Sequence, residues 1–539
     1  VALNPSGADV KYWYAVTLTF AGKPEEAILL FEKAIRLNPF GPSRYFLSYG
    51  HALLYVGRFE EAVSAYKKAL QREPNNFFAH LRLAATYSMM GLGKEAQAEA
   101  SEVLRLNPKF SLDNFAKILG YKDRTETEKI ITALRKSGLP DQPPLPLPDK
   151  PSIAVLAFDN LSGDPEQEYF SDGISEDIIT ALSKTPKIFV IARNSSFTYK
   201  GKPVKVQQVG RDLGVRYVLE GSARKAGEKV RITAQLIDAK TGHHIWADNY
   251  DRDLIDLFAV QDELTKNIIS AMQVKLTLGE QARVDAQGTN NLQAYLKFLQ
   301  ARENVNRFNS EGNALGKRLA QEAIDLDPQY AMAYRILAAT HRMDVFLGTS
   351  KSPKESISMC FKLLNKSLEL DETYAEAYGA LGFTYSMVGK HDQAVATAQK
   401  AVALDPNSAN TYAMLGHTLR MADRPEEAIP AYKKAIRLNP IPPTFYLFGL
   451  GMSYSLAGQH EKGIEWCKKA VQQAPDDYIA RIFLTTAYSM GGQLEDARAE
   501  VPEVLRINPK FSLAKAEKRA NYKFKDKMFD ALRKVGLPE

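Results

Sequence analysis

The sequence predicts a mainly α protein in which two α-solenoids flank one mixed-sheet α/β domain. Three observations carry this. A short phrase, apolar-Leu-Asn/Asp-Pro, recurs at near-constant spacing on both sides of the chain's middle. A proline-rich stretch breaks that rhythm. Behind it, continuous apolar runs bounded by turn residues replace the helical pattern. The expected organisation is helical repeats with terminal helices over 1–138, a linker over 139–151, an α/β domain over 152–280, and repeats with C-terminal capping helices over 290–539.

The phrase ends at Pro5, Pro39, Pro74 and Pro108, and again at Pro328, Pro406, Pro440, Pro475 and Pro509; between 328 and 406 its place is taken by LELDE, with Glu372 where proline would stand. The spacings are 34, 35 and 34 in the first block and 44, 34, 34, 35 and 34 in the second. Finer positions keep the same frame. From Ala375 the chain offers Tyr378, Leu381-Gly382, Tyr385, Gly389, Ala394, Ala398, Ala401 and Pro406; Phe46, Gly50, Gly57, Ala62, Tyr66, Ala69 and Pro74 repeat the pattern earlier. Small residues at 382 and 394 let two helices cross closely, Gly389 supplies a positive φ after the first helix, and the proline stops the second. A 34-residue period with these positions resembles the tetratricopeptide repeat (TPR), whose helical hairpins bury their apolar faces only by stacking.

A longer repeat is also present. LRLNPKFSLDNFAKILGYKD and ALRKSGLP resemble LRINPKFSLAKAEKRANYKFKD and ALRKVGLPE, so 1–140 looks like the tail of a module of which 150–539 is a complete copy. The register opens inside a repeat at Val1, and upstream sequence is expected.

The linker LPDQPPLPLPDKP is a stiff extended spacer. SIAVLAFDNLSG and IFVIARNSS read as buried strands, GISEDIITALSK as a helix, and YVLEGSARKAGEKVRITAQLIDAKTGHHIWADNYDRD as three strands joined by tight turns; LIDLFAVQDELTKNIISAMQVKLTL closes as an amphipathic helix. The order is β-α-β-α-β-β-β-α. IAVLAFDNLSGDPEQEYFSDGISEDIITALSK, VIARNSSFTYKGKPVKVQQVGRDLGVRYVLEGSARKAGEKVRITAQLIDAKTGHHIWADNYDRDL and FAVQDELTKNII resemble the TolB amino-terminal-like domain over essentially all of 150–278. That resemblance implies a bacterial protein in which the domain sits between an upstream output domain, such as a class III adenylate/guanylate cyclase or a winged-helix domain, and a TPR array. It supplies no catalytic residues to carry over.

Net charge is +7, from 70 basic and 63 acidic dispersed residues, which gives no footprint for nucleic acid. Cys360 and Cys467 stand alone, with no CxxC, so neither a disulfide framework nor a zinc site is expected. No apolar run approaches the ~20 residues of a membrane helix, and a cytoplasmic location is expected. Phosphate-cradling and nucleophile-elbow motifs are missing, so no catalytic residues, cofactor or metal are expected. His243-His244 reads as part of a hairpin turn. In the TPR, first-helix positions 2, 5, 9, 12 and 13 face the groove. Position 9 is Val16, His51, Ala85, Phe383, His417, Met452 and Thr486; none is the Asn of a peptide-carboxylate clamp. Tyr12, Val16, His51, Phe383, Met387, His417 and Met452 are the candidate partner-binding residues, and their aromatic and methionine content suits an apolar peptide or helix. In open α/β sheets ligands sit at strand carboxyl ends. Asp159, Asp172, Asp177, Arg193 and Asn194 are accordingly candidates for a small-ligand crevice, beside the plainer reading of helix caps and a solvated loop.

The expected function is a non-catalytic protein-binding scaffold or regulatory region of a bacterial signalling protein. Its rivals are the regulatory C-terminal part of an adenylate/guanylate cyclase with its catalytic domain upstream, and a self-assembling protein that forms homo-oligomers or filaments through its solenoid ends. VKYWYAVTLTFAG, apolar and aromatic, would leave a sticky N-terminal edge.

Overall fold

A computed structural model describes residues 7–119, 124–276 and 288–539. The chain divides into two compact units, 1–145 and 146–539. In the first, three helical hairpins follow one another: Ala8–Phe20 with Pro24–Leu37, Ser43–Tyr55 with Phe59–Arg72, and Phe77–Met89 with Gly93–Leu106. Leu112–Ile118 and Arg124–Lys136 close its end. Each hairpin pairs a 13-residue with a 14-residue helix. The turns use glycine where the backbone needs positive φ, as at Gly22, Gly57 and Gly91.

The second unit holds the sheet and six hairpins. The strands are β1 (Ser152–Val155), β2 (Asp159–Asn160), β3 (Phe189–Val190), β4 (Tyr217–Ala226), β5 (Lys229–Asp238) and β6 (His244–Asp253). Their order is β3-β1-β4-β5-β6, with β2 also on β4. β1 runs parallel to β3 and β4, and β4-β5-β6 form an antiparallel meander. The helices Glu168–Ser183 and Leu257–Ala271 pack their apolar residues, among them Ile174, Ile178, Leu264 and Ile268, against the sheet.

First helices of the six hairpins are Leu292–Asn306, Ala331–Phe346, Ala375–Met387, Ala409–Met421, Thr444–Leu456 and Tyr478–Met490. The second hairpin accounts for the 44-residue spacing. Its helices have 16 and 18 residues where the next hairpin has 13 and 14, and its loop is longer as well. Leu513–Arg519 and Lys525–Arg533 cap the array. The mainly helical fold with a small central mixed sheet is therefore as the sequence predicts.

The sheet and the repeats share one core. Ile153, Phe170 and Ile178 belong to the same buried cluster as Leu296, Phe298, Leu337 and Leu381. A second cluster joins Phe189, Ile191, Val209 and Leu213 to Ala409, Ala413, Leu438 and Tyr446.

Candidate functional site

The first helices supply the inner face of the second array. Phe383 stacks on His417 with ring centroids 4.6 Å apart and meets Phe346 at 6.0 Å. The Arg342 guanidinium lies 5.2 Å from the Phe383 ring. Burial, with Arg335 alongside, brings Arg342 down to about 10. Burial, then Arg420 and Arg342, holds His417 well below its usual value, so the imidazole is neutral. Phe383, His417 and Met387 are half-buried, and Phe346 is 53 % exposed. This aromatic row is the accessible part of the predicted groove.

Other predicted groove residues are used for packing. Met452 is fully buried beside Ile482, Phe524 and Met528. In the first unit Tyr12 is buried and stacks on Tyr45 at 4.8 Å, its hydroxyl 3.2 Å from Ser48 Oγ. His51 is buried, edge-on to Phe20 at 5.7 Å, and lines a hollow of about 160 Å³ with Tyr55 and Met89. Val16 is half-buried on the same helix as Tyr12. Tyr12, His51 and Met452 thus offer little surface to a partner, because each repeat must fill the gap to the next.

The predicted crevice residues are only partly brought together. Asp159 and Asn194 are exposed, on β2 and after β3. Asp172, Glu176 and Asp177 project from the helix Glu168–Ser183 and are neutralised by neighbours. Arg193 Nε lies 2.9 Å from Glu176 and its Nη2 lies 3.6 Å from Asp172. Lys200 bridges Asp172 and Glu168, both at 2.5 Å. Arg302, from the first hairpin, sits 3.4 Å from Glu176 and 3.7 Å from Asp177. The Tyr295 hydroxyl and Gln261 Nε2 both donate to Asp177. Burial raises the carboxyl pKa of Asp172 and of Asp177 against the pull of these donors and cations. The cluster is an ion-pair bridge between the sheet and the repeats. Among the described residues, no group of three or more His, Cys, Asp or Glu is placed to hold a metal ion.

Sequence reasoning missed the seam where the sheet meets the inter-repeat loops. Ser195 Oγ donates to Asn439 Oδ1 at 2.5 Å and accepts from Ile441 N at 2.7 Å. Ala192 N donates to Leu438 O. Ser183 Oγ donates to Asp405 at 3.0 Å, and Asn407 Nδ2 donates to Thr185 O at 2.7 Å. Arg437 reaches the carbonyls of Gly214 and Pro146. These loop residues belong to the recurring Leu-Asp/Asn-Pro phrase, which by itself reads as a helix stop. Beside the seam lies a cavity of about 350 Å³ whose lining includes Glu176, Lys184, Arg193, Tyr374, Glu376 and Asp405. Burial pushes the Asp405 carboxyl up to about 6.

Comparison with known proteins bears on the repeats. Four tetratricopeptide-repeat family models match, over residues 8–40, 53–113, 375–440 and 413–478. A Rhizobium meliloti (strain 1021) protein named "Putative adenylate cyclase 3" is 44 % identical over 253 residues, which are 47 % of this chain and 43 % of that protein. The chain thus spans less than half the length of this relative. Among solved structures, YrrB, described as a TPR protein with an unusual peptide-binding site, is 22 % identical, with 37 % of this chain and 97 % of that chain covered and a TM-score of 0.27. Yeast Tom70 is 14 % identical, with 98 % and 96 % covered and a TM-score of 0.26. Among the described residues, no helix is long and apolar enough to cross a membrane.

Proposed function

We propose that this chain is a non-catalytic scaffold or regulatory region of a bacterial signalling protein, and that it binds a peptide or protein partner on the inner face of its second TPR array. The observation that carries this reading is the half-open aromatic row Phe346–Phe383–His417 with Arg342 over its centre. Such a row accepts an aromatic or apolar side chain, and Arg342 offers donors to a carbonyl or carboxylate beside it. Peptides selected on the chain from a random library should lose binding, by roughly tenfold or more, in Phe383→Asp and Arg342→Glu. Retained binding in both variants, with unchanged circular dichroism, would place the partner elsewhere.

The likeness to the protein named for adenylate cyclase favours a second reading, in which these residues regulate a nucleotide cyclase domain carried on the same polypeptide. The resemblance of 150–278 to the TolB amino-terminal-like domain supports the same arrangement. The 539 residues are expected to make no cyclic nucleotide from ATP or GTP with magnesium. Turnover abolished by Asp172→Asn or Asp177→Asn would reveal an active site in the ion-pair cluster.

A further inference from the structure

The C-terminal cap does more than cover the last hairpin. Leu513–Arg519 and Lys525–Arg533 do the covering, with Phe529 and Leu532 in the core beside Ile482 and Val504. The segment between them reaches back across the mouth of the array. Asn521 Nδ2 donates to Met387 O at 2.8 Å, and Lys523 N donates to Met421 O at 3.1 Å. Met387 and Met421 end the first helices of the third and fourth hairpins, whereas the cap adjoins the sixth. Lys527 pairs with Asp423 at 3.2 Å, just past the end of the same helix as Met421. Closing the end of a solenoid requires none of these contacts.

They have the form of peptide recognition. Two donors, two residues apart, satisfy carbonyls left open at the ends of adjacent helices. Between 518 and 527 stand five Lys or Arg and one acid, which suits the partial negative charge of helix C-termini. Phe524 is the anchor. Its ring is 1 % exposed, in a cluster with Met452 that Met421 and Phe483 pack against. Arg420 lies 5.6 Å from that ring and 5.4 Å from Phe483. Met387 and Met452, which the sequence places on the groove, are thus met by the chain's own tail.

We infer that this end of the inner face is a docking surface for a peptide with an aromatic anchor, a backbone or amide donor two residues apart, and basic flanks, and that residues 520–527, a turn and the first residues of the helix after it, are its resident occupant. A partner of that chemistry binds by displacing them. The inference rests on the inner-face reading above but concerns the Met387–Met452 end, not the Phe383 row.

The test uses the full chain and a labelled synthetic peptide of residues 518–529. Phe524→Asp removes the resident anchor, so the variant should bind the peptide at least tenfold more tightly than the wild type. A peptide carrying the same substitution should bind neither. Equal binding to wild type and variant, or no binding to a variant with native circular dichroism, would overturn the proposal. Should Phe524→Asp fail to fold, Lys523→Pro deletes the donor to Met421 while keeping the ring, and the same comparison applies. If neither variant folds, the tail is core and not an occupant, and the proposal fails. A chain that captures library peptides through Phe383 yet ignores this one would overturn this proposal alone.

Discussion

Asp405 shows how one side chain can make a seam sensitive to pH. It accepts from Ser183 Oγ and Asn407 N, yet burial outweighs both and lifts its carboxyl from 3.8 to about 6. A folded pKa above the unfolded one means the native state prefers the proton. The stability this gives is complete below about pH 4 and is lost as pH rises through about 6, a difference on the order of 2–3 kcal/mol. Asp405→Asn keeps an acceptor and removes the charge, and the corresponding loop positions 38, 439 and 508 already carry Asn. The variant should melt close to wild type near pH 4 and several degrees higher above about pH 6.5. Parallel melting curves at both pH values would show that Asp405 ionises freely in the fold. Gly382 is a steric case. A Cβ there would stand 2.9 Å from Ala394 O and 3.3 Å from Ala398 N, both backbone atoms. Gly382→Leu should cost about 1–3 kcal/mol by overpacking, and the half-buried Met387→Ala less. Equal losses in urea unfolding would mean that the helix crossing is not the tight point.

At the scale of elements, the sequence made some features plain and concealed others for a physical reason. Hairpin boundaries were legible because proline, glycine and small residues act locally: Gly389 takes φ 77° at its turn, as a glycine there can without strain. Strand pattern was legible for the same reason, since β1 and β3 are buried over every residue. The candidate sites were less so. A first-helix position faces inward by the repeat's geometry, but whether it meets solvent depends on what packs there. Phe383 and His417 remain half-open, whereas Met452 is covered by a segment about 70 residues away in sequence. The pairing of Ser195 with Asn439 left no local mark, because Asn439 reads as part of a helix stop and a short polar side chain looks the same before and after it finds a partner. The acidic residues after β1 looked like a ligand site for want of their cations. Arg302 lies in the first hairpin of the second array, and no spacing rule links it to Glu176 on the helix beside the sheet.

Across the whole molecule, the shared core of the second unit predicts cooperation between parts that differ in secondary structure. The first unit presents a different problem. Its opening helix leaves Trp13 58 %, Tyr14 48 % and Phe20 45 % exposed. The counterpart helix of the second array, Ala409–Met421, is covered there by the preceding hairpin, with Phe383 on His417. An aromatic face of this kind is what either upstream repeats or another chain would cover. Sedimentation velocity of the chain should show concentration-dependent association that Trp13→Asp abolishes. A single monomer species at all concentrations would dismiss assembly through this end.

The seam also has a timetable. Ser195 is joined to Asn439 by a hydrogen bond that spans 244 residues, and on a ribosome adding about 5–20 residues per second its partner arrives roughly 12–50 s later. Throughout that interval Phe189, Ile191 and Leu213 lack the Ala409, Leu438 and Tyr446 side chains that cover them in the finished fold. The nascent polypeptide must therefore carry a complete sheet with one face uncovered while the residues between 253 and 438 are added. Slowing translation after residue 253 should lower the soluble yield, and a holding chaperone should restore it.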